Sequence, residues 1–412
     1  SIDTILEMAE IKKQKDGRRL VVTGCLAERY RDELRREIPE IDAVLGTGEV
    51  PRIVEAIGSA GSVDAQPAAP IAFYRRDPGM QPSSTSTPLF GVDLPAYLYD
   101  ATTPRRLSTP GHYAYLKIAE GCDYKCAFCI IPKMRGHYRS RAADSIVAEA
   151  RALAQRGVKE LLLISQDTTF YGVDRKERGA LARLLRELDH VEGLEWIRLL
   201  YLYPTTITDE VIAAIADAEK VCKYIDLPLQ HGSDAVLRRM KRPGTRAGYE
   251  RLLRRIRDRI PGVALRTTFI VGFPGETEGD FDELMGFVNE VGFDHLGVFT
   301  YSHEEGTSAF GLTDDVSPAT KRSRQARLMS RQRHIVEKRQ RARLGERTRI
   351  MVDGPSPEHD LVLRGRLEGQ APDIDPVVYL TDADPAEIAT GHFLDVEIVG
   401  ANDYDLVATP VR

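Results

Sequence analysis

Three cysteines within eight residues are the densest chemistry in the chain: Gly121-Cys122-Asp123-Tyr124-Lys125-Cys126-Ala127-Phe128-Cys129, a C-x3-C-x2-C run. The other two cysteines, Cys25 and Cys222, stand alone. Such crowding, with no secretory signal at the start, points to metal or redox chemistry rather than to disulfides. Thiolates bind iron–sulfur clusters well, and a four-iron cluster wants four ligands. Three would leave one iron open to another molecule, much as a catalytic zinc keeps an open position. A structural zinc completed by His112 or His137 is the rival, but the paired C-x2-C and His-x3-5-His spacings of zinc sites are absent.

The elements that would position this run alternate. Strand patterns fall at 114–119, 160–165, 196–203, 224–227, 264–271 and 295–300, with helical patterns such as 146–155, 181–188, 209–218 and 280–291 between them. Six βα units predict an α/β fold with a (β/α)6 partial barrel of parallel strands, active at the strands' C-terminal ends; a doubly wound open sheet is the alternative. The cysteine run lies just after the first strand. Gln166 and Asp167 end the second strand and are expected to face a cofactor. Gln230 and His231, at the end of the fourth, are candidate substrate contacts or caps of the next helix. Gly272 and Glu276 bound a turn after the fifth strand that either cradles the cofactor or is a plain Gly/Pro strand-to-helix turn. Cys222 and the single Trp196 read as core.

Around the barrel the composition changes. Residues 1–58 read as part of a doubly wound domain, with strands at 20–22 and 41–45, a helix at 27–36, and a helical opening pattern that suggests a start further upstream. Residues 59–110, rich in Ser, Pro and Gly, form a linker with a docked patch around 71–74. Residues 111–345 hold the barrel and a basic helix at 321–343, with ten Lys/Arg against Glu337 alone. That helix reads as a solvated face, a packing element or an RNA contact. Residues 346–412 carry short β patterns at 349–352, 361–367, 377–380 and 393–398, suggesting a small β-barrel of the oligonucleotide-binding type.

Charge is as uneven as cysteine. The whole chain carries −5, but residues 346–412 hold five arginines against fourteen acids, a net −9, leaving +4 for the rest. No apolar run approaches the roughly 18 residues of a membrane span. With no secretory signal, a cytoplasmic protein is expected. The overall charge argues against a simple electrostatic nucleic-acid binder.

The C-x3-C-x2-C run is the hallmark of radical S-adenosylmethionine enzymes, and several further motifs resemble the methylthiotransferases among them. These are Tyr115-Leu116-Lys117-Ile118-Ala119-Glu120-Gly121-Cys122, Ile131-Pro132-Lys133-Met134-Arg135-Gly136, Ile164-Ser165-Gln166-Asp167-Thr168-Thr169, Gly272-Phe273-Pro274-Gly275-Glu276-Thr277 and Tyr301-Ser302-His303-Glu304-Glu305-Gly306-Thr307. The resemblance covers nearly the whole chain apart from the linker and implies a cysteine-bearing N-terminal domain, a radical barrel and a C-terminal TRAM domain. Leu199-Leu200-Tyr201-Leu202-Tyr203-Pro204, Asp226-Leu227-Pro228-Leu229-Gln230-His231 and Ala371-Pro372-Asp373-Ile374-Asp375 are similar to the RimO type, which modifies an aspartate of small-subunit ribosomal protein twelve.

That resemblance implies the mechanism. Cys122, Cys126 and Cys129 would hold a 4Fe-4S cluster that binds S-adenosyl-L-methionine, with Phe128 packing near the adenine. Reductive cleavage would give a 5′-deoxyadenosyl radical that takes a hydrogen from the aspartate β-carbon. An auxiliary 4Fe-4S cluster would deliver sulfur, and a second S-adenosylmethionine the methyl group. Cys25, in Thr23-Gly24-Cys25-Leu26-Ala27-Glu28, matches one of three auxiliary ligands; read without the family, it is a plain buried cysteine. The other two ligands would lie upstream, so this stretch is expected to be a shortened copy that cleaves S-adenosylmethionine without inserting sulfur. Partners implied are ribosomal protein twelve or the ribosomal subunit, and an electron donor protein. Transfer RNA is disfavoured, because a −9 domain repels phosphate and suits a basic ribosomal protein. A tRNA adenosine methylthiotransferase and a non-catalytic ribosome-binding factor are the competing readings.

Overall fold

The computed structural model describes residues 2–15, 17–58 and 95–411. Apolar residues at helical and alternating spacing build a small N-terminal unit: α1 (Ile2–Lys13), β1 (Val21–Thr23), α2 (Cys25–Arg29), α3 (Arg31–Glu37), β2 (Ala43–Leu45) and α4 (Ile53–Gly58). β1 and β2 pair in parallel, and Ile5, Ala9, Val22, Ala27, Leu34 and Val44 form the core. The single helix expected at 27–36 is two. Tyr30 leaves helical geometry, ending α2 and opening α3. Most of the expected linker, including its patch at 71–74, lies outside the described residues. Its end is not a free tether, since Arg105 pairs with Glu149 at 2.7 Å and donates to the Tyr115 carbonyl at 2.6 Å.

The second unit begins at Tyr99. It runs through β3 (Tyr113–Lys117), β4 (Ala119–Glu120), β5 (Arg139–Ser140), α6 (Ala143–Gln155), β6 (Glu160–Ile164), α7 (Ala180–Asp189), β7 (Trp196–Leu199), α8 (Asp209–Asp217), β8 (Tyr224–Asp226), α9 (Asp234–Arg239), α10 (Arg246–Arg259), β9 (Ala264–Val271), α11 (Glu278–Val291) and β10 (His295–Thr300). The short α5 (Ile131–Arg135), between β4 and β5, clusters with the N-terminal unit instead. β3-β6-β7 and β8-β9-β10 are parallel sheets, and a parallel bridge from Ile197 to Val221 joins them. Spatial order therefore follows chain order, which is the (β/α)6 partial barrel and not the doubly wound sheet, whose order reverses.

Two strand ends fall short of their sequence patterns. The strand expected at 196–203 stops at Leu199, because Tyr201 adopts a left-handed φ of 58° that no ladder accommodates. The first strand stops at Lys117, and Ala119 and Glu120 pair with β5 instead. Outward residues such as Leu116, Leu161, Leu163, Leu265 and Phe269 pack under the helices.

α12 (Pro318–Arg341) is the basic helix, started by Ser317, whose hydroxyl accepts from the Thr320 amide, and by Pro318 at its first position. It is a packing element: Lys321, Arg324, Leu328, Gln332 and Gln340 are buried, and Gln332 donates to the Phe293 carbonyl at 2.9 Å. β11 (Arg347–Ser356), β12 (His359–Leu367), β13 (Val378–Leu380), β14 (Phe393–Asn402) and β15 (Asp405–Pro410) close a barrel in the order β11-β12-β13-β15-β14. Among the described residues no helix is long and apolar enough to cross a membrane.

Candidate active site at the strand ends

The cysteine run divides between the two units: residues 121–123 cluster with the N-terminal unit and 124–130 with the barrel. On the N-terminal side Gly121 holds φ at 90°, and a Cβ there would lie 2.1 Å from the His137 carbonyl oxygen, so only glycine fits. The Cys122 amide donates to the Gly136 carbonyl at 3.1 Å. On the barrel side the Cys129 amide closes a turn onto the Cys126 carbonyl at 3.1 Å. Buried Ala127 between them is pinned twice, its amide donating to Met240 and its carbonyl accepting from Ala309, both at 2.8 Å.

Arg242 completes the barrel side. Its Nη1 lies 3.6 Å from Cys126 Sγ, and its Nη2 donates to the Pro228 carbonyl at 2.6 Å. The guanidinium sits 3.8 Å over the Tyr203 ring, which stacks on Tyr124 at 3.9 Å with 3° between planes. Burial disfavours the charge on Arg242, but Tyr203 and Cys126 more than restore it, and its pKa is raised. Sequence reasoning passed over Arg242, and it met Tyr203 only inside the 199–204 motif, with no role attached.

The three thiols fit the group that the spacing implies. None is in a disulfide and all are half-buried. Within neither unit, among the described residues, do three metal-ligating side chains gather, since the run contributes one cysteine to one unit and two to the other. Of the two histidines weighed for zinc, His137 Nδ1 lies 2.9 Å from Asp123 and His112 Nε2 lies 2.8 Å from Asp353, contacts that orient each ring through one of its nitrogens. A soft all-sulfur donor set suits iron–sulfur chemistry.

The remaining candidates divide into lining and framework. Phe128 is half-buried and packs against the cluster of Ala127, Val236, Met240 and Phe273. Gln166 is half-buried after β6. Asp167 is buried and held in its own turn. Its buried carboxylate accepts from the Thr169 amide at 2.9 Å and the Phe170 amide at 3.2 Å, and burial raises its pKa. Gly272 has φ 74°, and a Cβ there would meet Lys321 of α12 at 2.3 Å. Glu276 is likewise consumed by its own loop, accepting from the Gly272 amide at 2.6 Å, the Phe273 amide at 3.1 Å and Arg324 at 3.0 Å.

His231 is fully buried. Its Nδ1 accepts from the Ser233 amide at 2.9 Å, and Nε2 points at Glu276 from 3.7 Å. Gln230, at φ 75°, bonds through its backbone to Thr268 and Ile270 and stays half-buried. In the N-terminal unit Cys25 opens α2, and Arg135 Nη2 donates to its Sγ at 3.0 Å. Cys222 is buried, and burial pushes its thiol up to about 12.

Comparison with known proteins follows this geometry. The Radical SAM superfamily model matches residues 116–288, and the TRAM domain model matches residues 344–411. A ribosomal protein uS12 methylthiotransferase RimO from Trichlorobacter lovleyi is 46% identical over 412 residues, covering 100% of this chain and 86% of its own. The same-named protein of Symbiobacterium thermophilum is 47% identical over 407 residues, covering 99% and 79%. Among solved structures, the radical S-adenosylmethionine methyltransferase TsrM of Kitasatospora setae, with cobalamin and a [4Fe-4S] cluster bound, aligns at a TM-score of 0.52 with 18% identity. It covers 71% of this chain and 57% of that one, a likeness of fold.

Proposed function

Because the chain belongs to the ribosomal protein uS12 methylthiotransferase RimO family, we propose that it replaces a hydrogen on the β-carbon of an aspartate of ribosomal protein uS12 with a methylthio group. The observation that carries this reading is the three-thiol run, Cys122, Cys126 and Cys129, that follows β4 in a chain related over its full length to enzymes of that name. Cys122, Cys126 and Cys129 would hold the 4Fe-4S cluster, and Cys25 would ligate an auxiliary one. When bound, the cluster supplies the electron that cleaves S-adenosylmethionine homolytically, drawn in turn from a donor protein.

The chain's own residues do the holding. Arg242 places a fixed positive charge and an N–H donor 3.6 Å from the Cys126 sulfur, which holds that side chain in place. Tyr203 and Tyr124 stack beside it and keep water from that side of the run. Glu276 fixes the 272–276 loop from within, and Arg324 of α12 backs that carboxylate. Arg135 does for Cys25 what Arg242 does for Cys126.

The acidic C-terminal barrel supports a basic protein substrate over RNA. The test extends the chain at its N-terminus by a segment that supplies two further auxiliary-cluster cysteines, reconstitutes it anaerobically with iron and sulfide, and incubates it with S-adenosylmethionine, a low-potential reductant and either isolated uS12 or the small ribosomal subunit. Tandem mass spectrometry should find one methylthio group on one aspartate, and none with Cys126→Ala. Unmodified uS12 alongside steady 5′-deoxyadenosine formation would overturn the assignment.

A further inference from the structure

The six barrel strands each turn one face inward, and a single segment of the C-terminal domain, residues 366–375, reaches an inward side chain of every one. Tyr113 and Tyr115 of β3 donate to Asp373 Oδ2 at 2.9 and 3.3 Å. Glu160 of β6 pairs with Arg366 at 2.7 Å, and Arg198 of β7 donates to the Glu368 carbonyl at 2.7 Å. Tyr224 of β8 and Arg266 of β9 both reach Asp375, at 2.7 and 3.3 Å. His295 of β10 meets the Gly369 carbonyl at 2.7 Å. Tyr113, Leu162, Trp196 and Tyr224 add an apolar layer against Met351 and Ala371. The N-terminal end of the barrel is thereby closed by another domain.

Above that closure the inner face opens. Asp373, at a left-handed φ of 66°, and Ile374, 46% exposed, crown the segment. Towards the strands' C-terminal ends Tyr201 is 48% and Phe299 61% exposed. Phe299 shares the inward face of β10 with His295 and with Gly297, which leaves the strand bare between them. Tyr201 is held in its strained backbone from both sides: its amide donates to buried Asp226 at 3.0 Å, and its carbonyl accepts from Thr168 at 3.0 Å. Large apolar side chains left exposed at the strand ends mark a binding surface, and strain over-determined in this way clusters at functional sites.

We propose that residues 373–374 are the floor of the chamber that receives the protein substrate, with Tyr201 and Phe299 as its walls. The C-terminal domain thus completes the substrate site. This rests on the protein-substrate reading above. The occupant is a segment of a basic ribosomal protein: Asp373 on the floor and the −9 domain behind it favour cationic side chains and repel a phosphate backbone.

The test places the photo-crosslinker p-benzoylphenylalanine at position 374, at 299, or at 399 as a control on the C-terminal domain, where Val399 is 49% exposed. The full reconstituted chain is irradiated with isolated uS12. Capture at 374 and 299 but not at 399, competed by unlabelled uS12, is the expected result. Capture at 399 alone, or none at 374 and 299, overturns the floor. Methylthiolation of uS12 by the chain extended with the two further auxiliary-cluster cysteines, the form also used for kinetics, is assayed in parallel, so failure of the substrate reading shows separately. As a second readout, Ile374→Ala should raise KM for uS12 about tenfold with kcat held within about threefold; a fall in kcat at unchanged KM would contradict contact with substrate.

Discussion

Arg242 fixes the barrel side of the cysteine run from 116 residues away, and three contacts share its guanidinium: Cys126 Sγ, the Pro228 carbonyl and the Tyr203 face. Each needs a planar cation with several donors, which lysine does not supply. Hydrogen bonds to a cluster's sulfurs stabilise its reduced form and raise its potential. Arg242→Met should therefore retain the cluster's visible absorbance while lowering its reduction potential, measured by redox titration followed by electron paramagnetic resonance. An unchanged potential would show that Arg242 serves packing alone. At this scale the cysteines were legible, because their spacing is local. Arg242 was not, because its partner lies on another element and a lone arginine in a Lys-Arg-Pro-Gly turn reads as solvated.

Among the elements, α11 shows how local signals build the barrel. Thr277 and Asp280 cap it reciprocally, the Thr277 hydroxyl accepting from the Asp280 amide while Asp280 accepts from the Thr277 amide at 2.9 Å. Burial would raise the Asp280 carboxyl, but hydrogen bonds from Ser233 and Thr277 and the charge of Arg239 outweigh it and hold the pKa at about 2. A depressed carboxylate adds stability above its unfolded pKa and loses it as pH falls through the folded value. Asp280→Asn should therefore be less stable than wild type at neutral pH, and urea titrations should show the gap closing towards pH 2. Thr277→Ala should cost about 1 kcal/mol in the same assay.

Strands β9 and β10 fell where their patterns put them, β9 alternating buried and half-buried residues along its whole length. β7 stopped early, because the apolar pattern continues through Leu200, Leu202 and Tyr203 while the backbone turns at Tyr201. Periodicity records which side chains are buried, not whether the chain bends between them.

Over the whole molecule, charge was the legible property and contact was not. The −9 of residues 346–412 stands in the composition. Its use does not, because the Glu160–Arg198 pair of one barrel and the Arg366–Asp353 pair of the other join, through Glu160 and Arg366, only when the two barrels pack, and each residue alone reads as a surface residue. The RimO-like run at 371–375 was visible as a resemblance, but its place against the barrel strands required the structure. Removing one partner from such a buried set leaves another uncompensated, so these domains are expected to act as one body in catalysis.

The central claim is that this radical chemistry is aimed at a protein side chain and not at a nucleotide. It is tested most directly by offering both substrates in one vessel: unmodified uS12 and unmodified tRNA, with the reconstituted chain extended by the two further auxiliary-cluster cysteines, reductant and S-adenosylmethionine labelled in its methyl group. The account predicts label in uS12, as methylthio-aspartate, and none in tRNA. Label in a tRNA adenosine, with uS12 unmarked, would contradict it.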